Sequence, residues 1–239
     1  MNAVPPPRRQ LLGAGAAMLF APPFIGASIV PIAAIAGSVA ASGAHVAGPR
    51  LDIPLVRGRG DAPEDFLQAR TGQGAPSRWQ VLQAAPVNGN TLVQTAADPT
   101  DNRFPLAIYE KFSAADLDVS VRFKAVDGRV DRAGGIAIRL LDAGNYYVVR
   151  ANALEDNVNF YHVRKGVRRE IAGATVKVPS LVWHTLGLRA EGDRFAISFN
   201  GAVLFQATDR TFPGAGKIAL WTKADSLTEF AGFSVTSPP

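Results

Sequence analysis

Between residues 117 and 124 apolar and polar positions alternate strictly. Leu117, Val119, Val121 and Phe123 are set against Asp118, Ser120, Arg122 and Lys124. A period of two places the first set on one buried face of a strand and the second on its wet face. Phe195, Ile197 and Phe199 repeat the pattern just before Asn200-Gly201, a pair that tolerates positive φ and marks a tight hairpin. Arg164-Lys165-Gly166 joins Tyr161-His162-Val163 to Val167–Glu170 in the same way, and Asn88-Gly89-Asn90 is a further hairpin signal. The runs Gly134–Arg139, Asn145–Arg150, Trp183–Arg189 and Gly216–Trp221 add more strands. After residue 76 no helical period exceeds two turns, and Ala114-Ala115-Asp116 makes a turn at most. Many short strands at regular spacing predict an all-β sandwich or barrel of antiparallel sheets.

The same alternation predicts a face. With a turn at Asp142–Asn145, Ile136, Ile138, Leu140, Tyr147, Val149 and Ala151 share the buried side. Ala137, Arg139, Tyr146, Val148 and Arg150 share the other. Arg139, Tyr146 and Arg150 on one sheet surface would suit a hydroxyl-rich or anionic ligand, and a one-residue slip in the turn would separate them. Ile218 and Leu220 point inward by the same rule, which leaves Lys217, Ala219, Trp221 and Lys223 opposite. Trp221 is then either a platform on which a sugar ring stacks or an ordinary buried aromatic.

The chain starts differently. Arg8 and Arg9 precede a stretch with no charged residue until Arg50, rich in Ala and Gly and interrupted by Pro22, Pro23 and Pro31. A basic start, a long apolar run and small residues near positions 38–44 predict a signal peptide over 1–44 rather than a spanning anchor. Arg8-Arg9-Gln10-Leu11-Leu12 resembles the twin-arginine export signal, with Pro7 where Ser or Thr is usual. The expected destination is periplasmic or secreted, with no membrane association beyond the export signal. Residues 45–75, rich in Gly, Pro, Arg and Ala, read as an extended lead-in with one edge strand at Leu51–Val56, followed by the sandwich over 76–239.

Composition removes several functions. The chain has no cysteine, so neither a disulfide framework nor a thiolate metal site is available. Its net charge is +5, and without residues 1–44 it has 23 basic against 20 acidic residues, or +3. That is too mild for a nucleic-acid partner.

A glycosidase needs two carboxylates across the scissile bond, and none of Glu110, Asp118, Glu155, Asp156, Asp225 or Glu229 forms an obvious pair in sequence. Asp225 and Glu229, near the closing strand, are the candidate acids, and His162 beside the basic hairpin is the candidate general base. His45 falls in the leader or linker, and His184 lies on a strand among apolar residues. No cofactor is expected. Glu155-Asp156-Asn157 reads as a solvated loop, with calcium ligation as the alternative. Arg164, Lys165, Arg168 and Arg169 on the hairpin either grip an acidic polysaccharide or are simply solvated.

Trp183-His184-Thr185-Leu186, Phe199-Asn200-Gly201 and Gly216–Ser226 together resemble concanavalin A-like (laminin G-like) sandwich domains. Gly135-Ile136-Ala137-Ile138-Arg139 resembles the Gly-Ile-x-x-Arg strand of the bacterial 3-keto-disaccharide hydrolase-like group. The resemblance spans roughly residues 76–236. It implies a jelly-roll sandwich whose concave face handles glycosides or 3-keto sugars, with an oligosaccharide or polysaccharide as partner. Two departures stand out: Phe230 is followed by Ala231-Gly232 where paired aspartates are common, and no Glu-x-Asp-x-x-Glu motif of laminarinase-like enzymes is present. The resemblance implies hydrolysis or elimination at a glycosidic bond. His162, Asp225 or Glu229 would transfer protons, while Arg139, Tyr146, Arg150, Trp221 and Lys223 hold the sugar. The alternatives are a non-catalytic glycan-binding module using the same face, and a structural envelope domain.

Overall fold

The computed structural model describes residues 48–83 and 89–237. The expected signal segment with its twin arginines, His45 and Asn88 lie outside the described residues. Fifteen strands are present: β1 (Arg50–Asp52), β2 (Phe66–Gly72), β3 (Trp79–Gln83), β4 (Asn90–Gln94), β5 (Arg103–Ala114), β6 (Leu117–Asp127), β7 (Ala133–Asp142), β8 (Asn145–Asn152), β9 (Asn157–Arg164), β10 (Val167–Thr175), β11 (Trp183–Glu191), β12 (Arg194–Phe199), β13 (Ala202–Thr208), β14 (Gly216–Trp221) and β15 (Leu227–Thr236). They form two antiparallel sheets. One runs β13-β12-β11-β6-β15-β4-β3 with β1 on β15, and the other runs β10-β9-β8-β7-β14-β5-β2. This is a concanavalin A-like jelly-roll sandwich.

The alternating residues of β6 and β12 all point into the space between the sheets. Val119, Val121, Phe123 and Ile197 meet Ile136, Val149, Phe160, Ile218 and Leu220 there, each essentially fully buried. Lys165-Gly166 and Asn200-Gly201 make two of the tight hairpins, with φ of 50° and 77°, and 50° and 84°, values that match a primed turn to the strand twist.

The seven-stranded sheet carries a second apolar layer on its outer face. It includes Phe104, Leu106, Ile108, Ala137, Tyr146, Val148, Tyr161, Val163, Ala219 and Trp221. The sheet curls around this layer. Thr71 on the edge strand β2 bonds the hydroxyl of Tyr146 on β8 at 2.8 Å and also reaches the carbonyl of Ala143 in the β7–β8 turn. With β5, β14 and β7 lying between those two strands, the outer face is concave.

Three expectations change here. The sandwich includes strands from the stretch read as a lead-in: β2 pairs along its whole length with β5. Its Gly- and Arg-rich surroundings mask Phe66, the buried apolar residue that anchors it. Leu140 belongs to the outer layer rather than the inter-sheet core. Arg139 does not share a face with Tyr146 and Arg150. A bulge between Ile138 and Asp142 breaks the register of β7 with β8, and Arg139 sits at φ 47°, so alternation fails at that residue. The opposing strand accommodates the bulge at Gly216, where a Cβ would lie 2.3 Å from the Arg139 carbonyl carbon.

Candidate functional site

Strand register assembles the concave site row by row. Gly135 on β7 opposes Trp221 on β14 and Arg150 on β8. Arg150 opposes Asn159 on β9, while Val148 opposes Tyr161 and Tyr161 opposes Glu170 on β10. Gly135 lets this floor close up, since a Cβ there would meet the Val149 carbonyl at 2.6 Å and the Trp221 ring at 3.3 Å.

The floor is aromatic and dry. Trp221 is fully buried and stacks on Phe104 with ring centroids 5.4 Å apart. Its Nε1 donates to the Tyr146 hydroxyl at 3.3 Å. Burial pushes the Tyr146 hydroxyl up to about 12, so it remains a neutral donor and acceptor in this trio. Above the rings lies Arg168, its guanidinium carbon 4.5 Å from the Tyr161 centroid, 4.9 Å from Phe104 and 5.8 Å from Trp221. Stacking of a planar cation on rings is favourable and suits Arg better than Lys. The Nη1 of Arg168 is buried without a hydrogen-bond partner.

Polar groups ring this floor. Arg150 holds Glu155 at 2.8 Å and the side-chain Oδ1 of Asn157 at 2.8 Å. The Arg150 guanidinium is the main reason the Glu155 carboxyl is lowered to about 2. Asn159 donates to Glu170 at 2.9 Å and to the Tyr161 hydroxyl at 3.0 Å. Lys223 reaches Asp131 at 2.8 Å and Asp101 at 2.5 Å. Burial lowers the Lys223 ammonium, but those two carboxylates outweigh it and raise the group overall. Asp131 is fully buried, and burial raises its carboxyl against the pull of Lys223.

Four of the five expected sugar-binding residues therefore share the concave face, though in roles other than expected. Trp221 and Tyr146 form its floor and are inaccessible as stacking platforms, because Arg168 and Thr71 cover them. Arg150 and Lys223 brace the rim. Arg139, the fifth, lies at one end of the sandwich and staples three connections. It donates to the carbonyls of Ala115 (β5–β6) at 2.8 Å, Gly192 (β11–β12) at 2.7 Å and Phe212 (β13–β14) at 2.9 Å.

The three expected proton-transfer residues are scattered. Asp225 accepts backbone N–H bonds from Arg129, Val130 and Asp131 at 2.8, 3.1 and 3.0 Å. Burial tends to raise its carboxyl, but these bonds hold it below the usual range. It clamps the loop that carries Asp131. Glu229 lies on the eight-stranded sheet, ion-paired with Lys124 at 2.7 Å. His162 lies on the β9 face opposite the aromatic floor, with Nδ1 3.5 Å from Asp209.

Glu155 and Asp156, the alternative calcium ligands, are engaged instead by Arg150 and by Lys177 at 2.6 Å. Among the described residues no group of three acidic or histidine side chains is placed to hold a metal ion. Sequence reasoning missed Arg168 and Asn159 as site residues. Their signal was the alternation across the β9–β10 hairpin, which sets Arg168 and Asn159 on the side of Tyr161 and leaves Arg164 and Arg169 on the other.

No family model matches the chain, and no curated protein matches its sequence. Its fold is shared with solved structures. The carbohydrate binding module CBM66 from Bacillus subtilis aligns with a TM-score of 0.56 at 22% identity over 71% of this chain and 95% of that one. A Bacillus subtilis protein of unknown function with a galectin-like fold aligns with a TM-score of 0.55 at 11% identity, over 81% and 97%. A native glycosidic hydrolase aligns with a TM-score of 0.51 at 14% identity, over 80% and 97%.

Proposed function

We propose that this chain is an exported glycan-binding sandwich that holds neutral sugar on the concave face of the seven-stranded sheet. The observation that carries this reading is the arrangement around Arg168. A cation stacked on three rings, with a buried and unpartnered Nη1, sits among carboxylates and carboxamides on β9, β10 and the neighbouring turns. Sugar hydroxyls both donate and accept. Glu155, Glu170 and Asp101 offer acceptors, while Asn157 and Arg168 offer donors and Asn159 fixes Glu170 in place, so the rim matches a neutral polyol better than an anion. Export rests on the pattern of residues 1–44.

Binding is favoured over hydrolysis by the state of the acids. A general acid must be protonated near neutral pH and reach the leaving oxygen. Glu155 is held ionised by Arg150, and Asp131, the rim carboxyl that burial raises, is enclosed by Lys223 and Asn152. The resemblance to the 3-keto-disaccharide hydrolase-like group makes turnover the competing outcome.

The test is calorimetric titration and product analysis with a panel of neutral oligosaccharides, including ordinary and 3-keto disaccharides, on the protein and its Arg168→Ala and Asn159→Ala variants. Saturable binding without turnover, weakened at least tenfold in Arg168→Ala and severalfold in Asn159→Ala, supports the reading, since a hydrogen bond to a charged group is worth roughly 1.5–3 kcal/mol and an ordinary one about 1 kcal/mol. Turnover of any member, or binding that both variants retain in full, overturns it.

A further inference from the structure

The β9–β10 hairpin has a second polar surface that the concave site does not use. On the face of β9 opposite Tyr161, the buried column of Val158 and Phe160 continues as His162 and then Arg164, and register places Arg169 beside His162 and Val167 beside Arg164. His162, Arg164, Lys165, Val167 and Arg169 line a depression of about 470 Å³. Among the described residues no carboxylate lies within ion-pair distance of Arg164, Lys165 or Arg169. Three like charges within one hairpin repel one another at close range, and among the described residues none of them is paired with a carboxylate.

The depression is also held in shape. The hairpin tip docks on the neighbouring turn, with Gly166 N donating to the Gly144 carbonyl at 2.9 Å and Lys165 N to the Asn145 Oδ1 at 3.0 Å. At its inner end, Asp209 accepts from the Tyr147 hydroxyl at 2.6 Å and the Thr211 N–H at 2.7 Å, and approaches His162 Nδ1 at 3.5 Å. Burial tends to raise the Asp209 carboxyl, but the bonds from Thr211 and Tyr147 outweigh it and keep the group ionised. The Thr211 hydroxyl also lies 3.3 Å from His162 Nδ1, so that edge of the ring is engaged by the protein and the other edge, with Nε2, is left for the depression.

We infer that this depression binds an oxyanion carried on a glycan chain, a uronate carboxylate or a sulfate ester, with Arg164, Arg169 and Lys165 as its cationic walls and Val167 against the chain's apolar edge. The site is independent of the concave face, because Arg168, between Val167 and Arg169, turns to the aromatic floor.

The test is binding of the protein to polygalacturonate, to a sulfated polysaccharide, to a neutral polysaccharide and to inorganic polyphosphate. It compares an Arg164→Ala/Arg169→Ala variant with an Arg189→Ala/Arg194→Ala control, which removes the same charge from the eight-stranded sheet. Arg168→Ala marks the concave face. The inference expects binding to the uronate or the sulfated chain, lost at least tenfold in the hairpin variant and retained in the control and in Arg168→Ala. Which of the two chains binds identifies the anion. Equal losses in the hairpin and control variants, no loss in the hairpin variant, or polyphosphate binding as tight as the glycan would overturn it.

Discussion

Arg168 and Arg169 are adjacent in sequence, yet they serve opposite faces of the same sheet. Arg168 opposes Val163 and stacks 4.5 Å from the Tyr161 ring centroid over the aromatic floor, whereas Arg169 opposes His162 on the other side. A basic run that looks uniform in sequence is thus divided by strand alternation into a stacked arginine on the concave face and a cluster of charges with no carboxylate partner among the described residues.

The first prediction concerns the cover that Arg168 gives to Trp221. In Arg168→Ala the buried indole gains access to water, so tryptophan emission should shift to longer wavelength while the fold survives. Arg168→Lys should restore the emission only in part, because an ammonium cannot lie flat across three rings.

Arg139 is expected to matter for stability and not for recognition. Arg139→Ala leaves three turn carbonyls without their donor, at roughly 1–3 kcal/mol for each group that stays buried. Urea denaturation should show a loss of several kcal/mol. Arg139→Lys should recover little, since one ammonium cannot reach three diverging carbonyls. Folded Arg139→Ala protein should bind neutral glycan as the parent does, and selective loss of binding at unchanged stability would contradict this role.

The carboxylates Asp225 and Glu229 should separate cleanly. Asp225→Ala removes an acceptor for three backbone N–H groups and should cost about 2 kcal/mol by thermal or urea unfolding. Glu229→Gln breaks a partly exposed ion pair and should shift stability by about 1 kcal/mol or less. Glycan binding should be unchanged by Glu229→Gln.

Alkaline pH should unfold the protein through its tyrosines. Tyr146 and Tyr147 are held neutral up to about 12, in both cases mainly by burial, with the Asp209 bond adding to it for Tyr147. An unfolded tyrosine ionises near 10. Above about pH 10 the unfolded state therefore binds fewer protons than the folded state, and stability falls as pH rises. Phenolate absorbance should lag that of the denatured chain and then rise cooperatively with unfolding. A titration superimposable on the denatured one would contradict the burial of these hydroxyls.

Much of the fold was legible because the strands alternate. Leu117–Lys124 and Phe195–Phe199 announce their own buried faces, and Lys165-Gly166 and Asn200-Gly201 are turns that few other structures would use. What was not legible depends on breaks in that alternation. The bulge after Ile138 removed Arg139 from the face where a strict period of two puts it, and nothing in Arg139-Leu140-Leu141 marks a residue at positive φ. The site was partly legible for the same reason: Tyr146, Arg150, Trp221 and Lys223 fall on one face by counting. Which of them meets a ligand depends on what covers them. Thr71 and Arg168 come from strands distant in sequence, and no local pattern shows that they lie over Tyr146 and Trp221.

The most direct measurement is amide hydrogen exchange across the molecule with and without the tightest neutral oligosaccharide from the panel. The account expects protection confined to β8, β9 and the concave side of β10, around Arg150, Asn157, Asn159 and Arg168, with β6, β11 and β12 unchanged. Protection centred on the eight-stranded sheet instead, or none anywhere at saturating sugar, would contradict the claim that the concave face is the binding site.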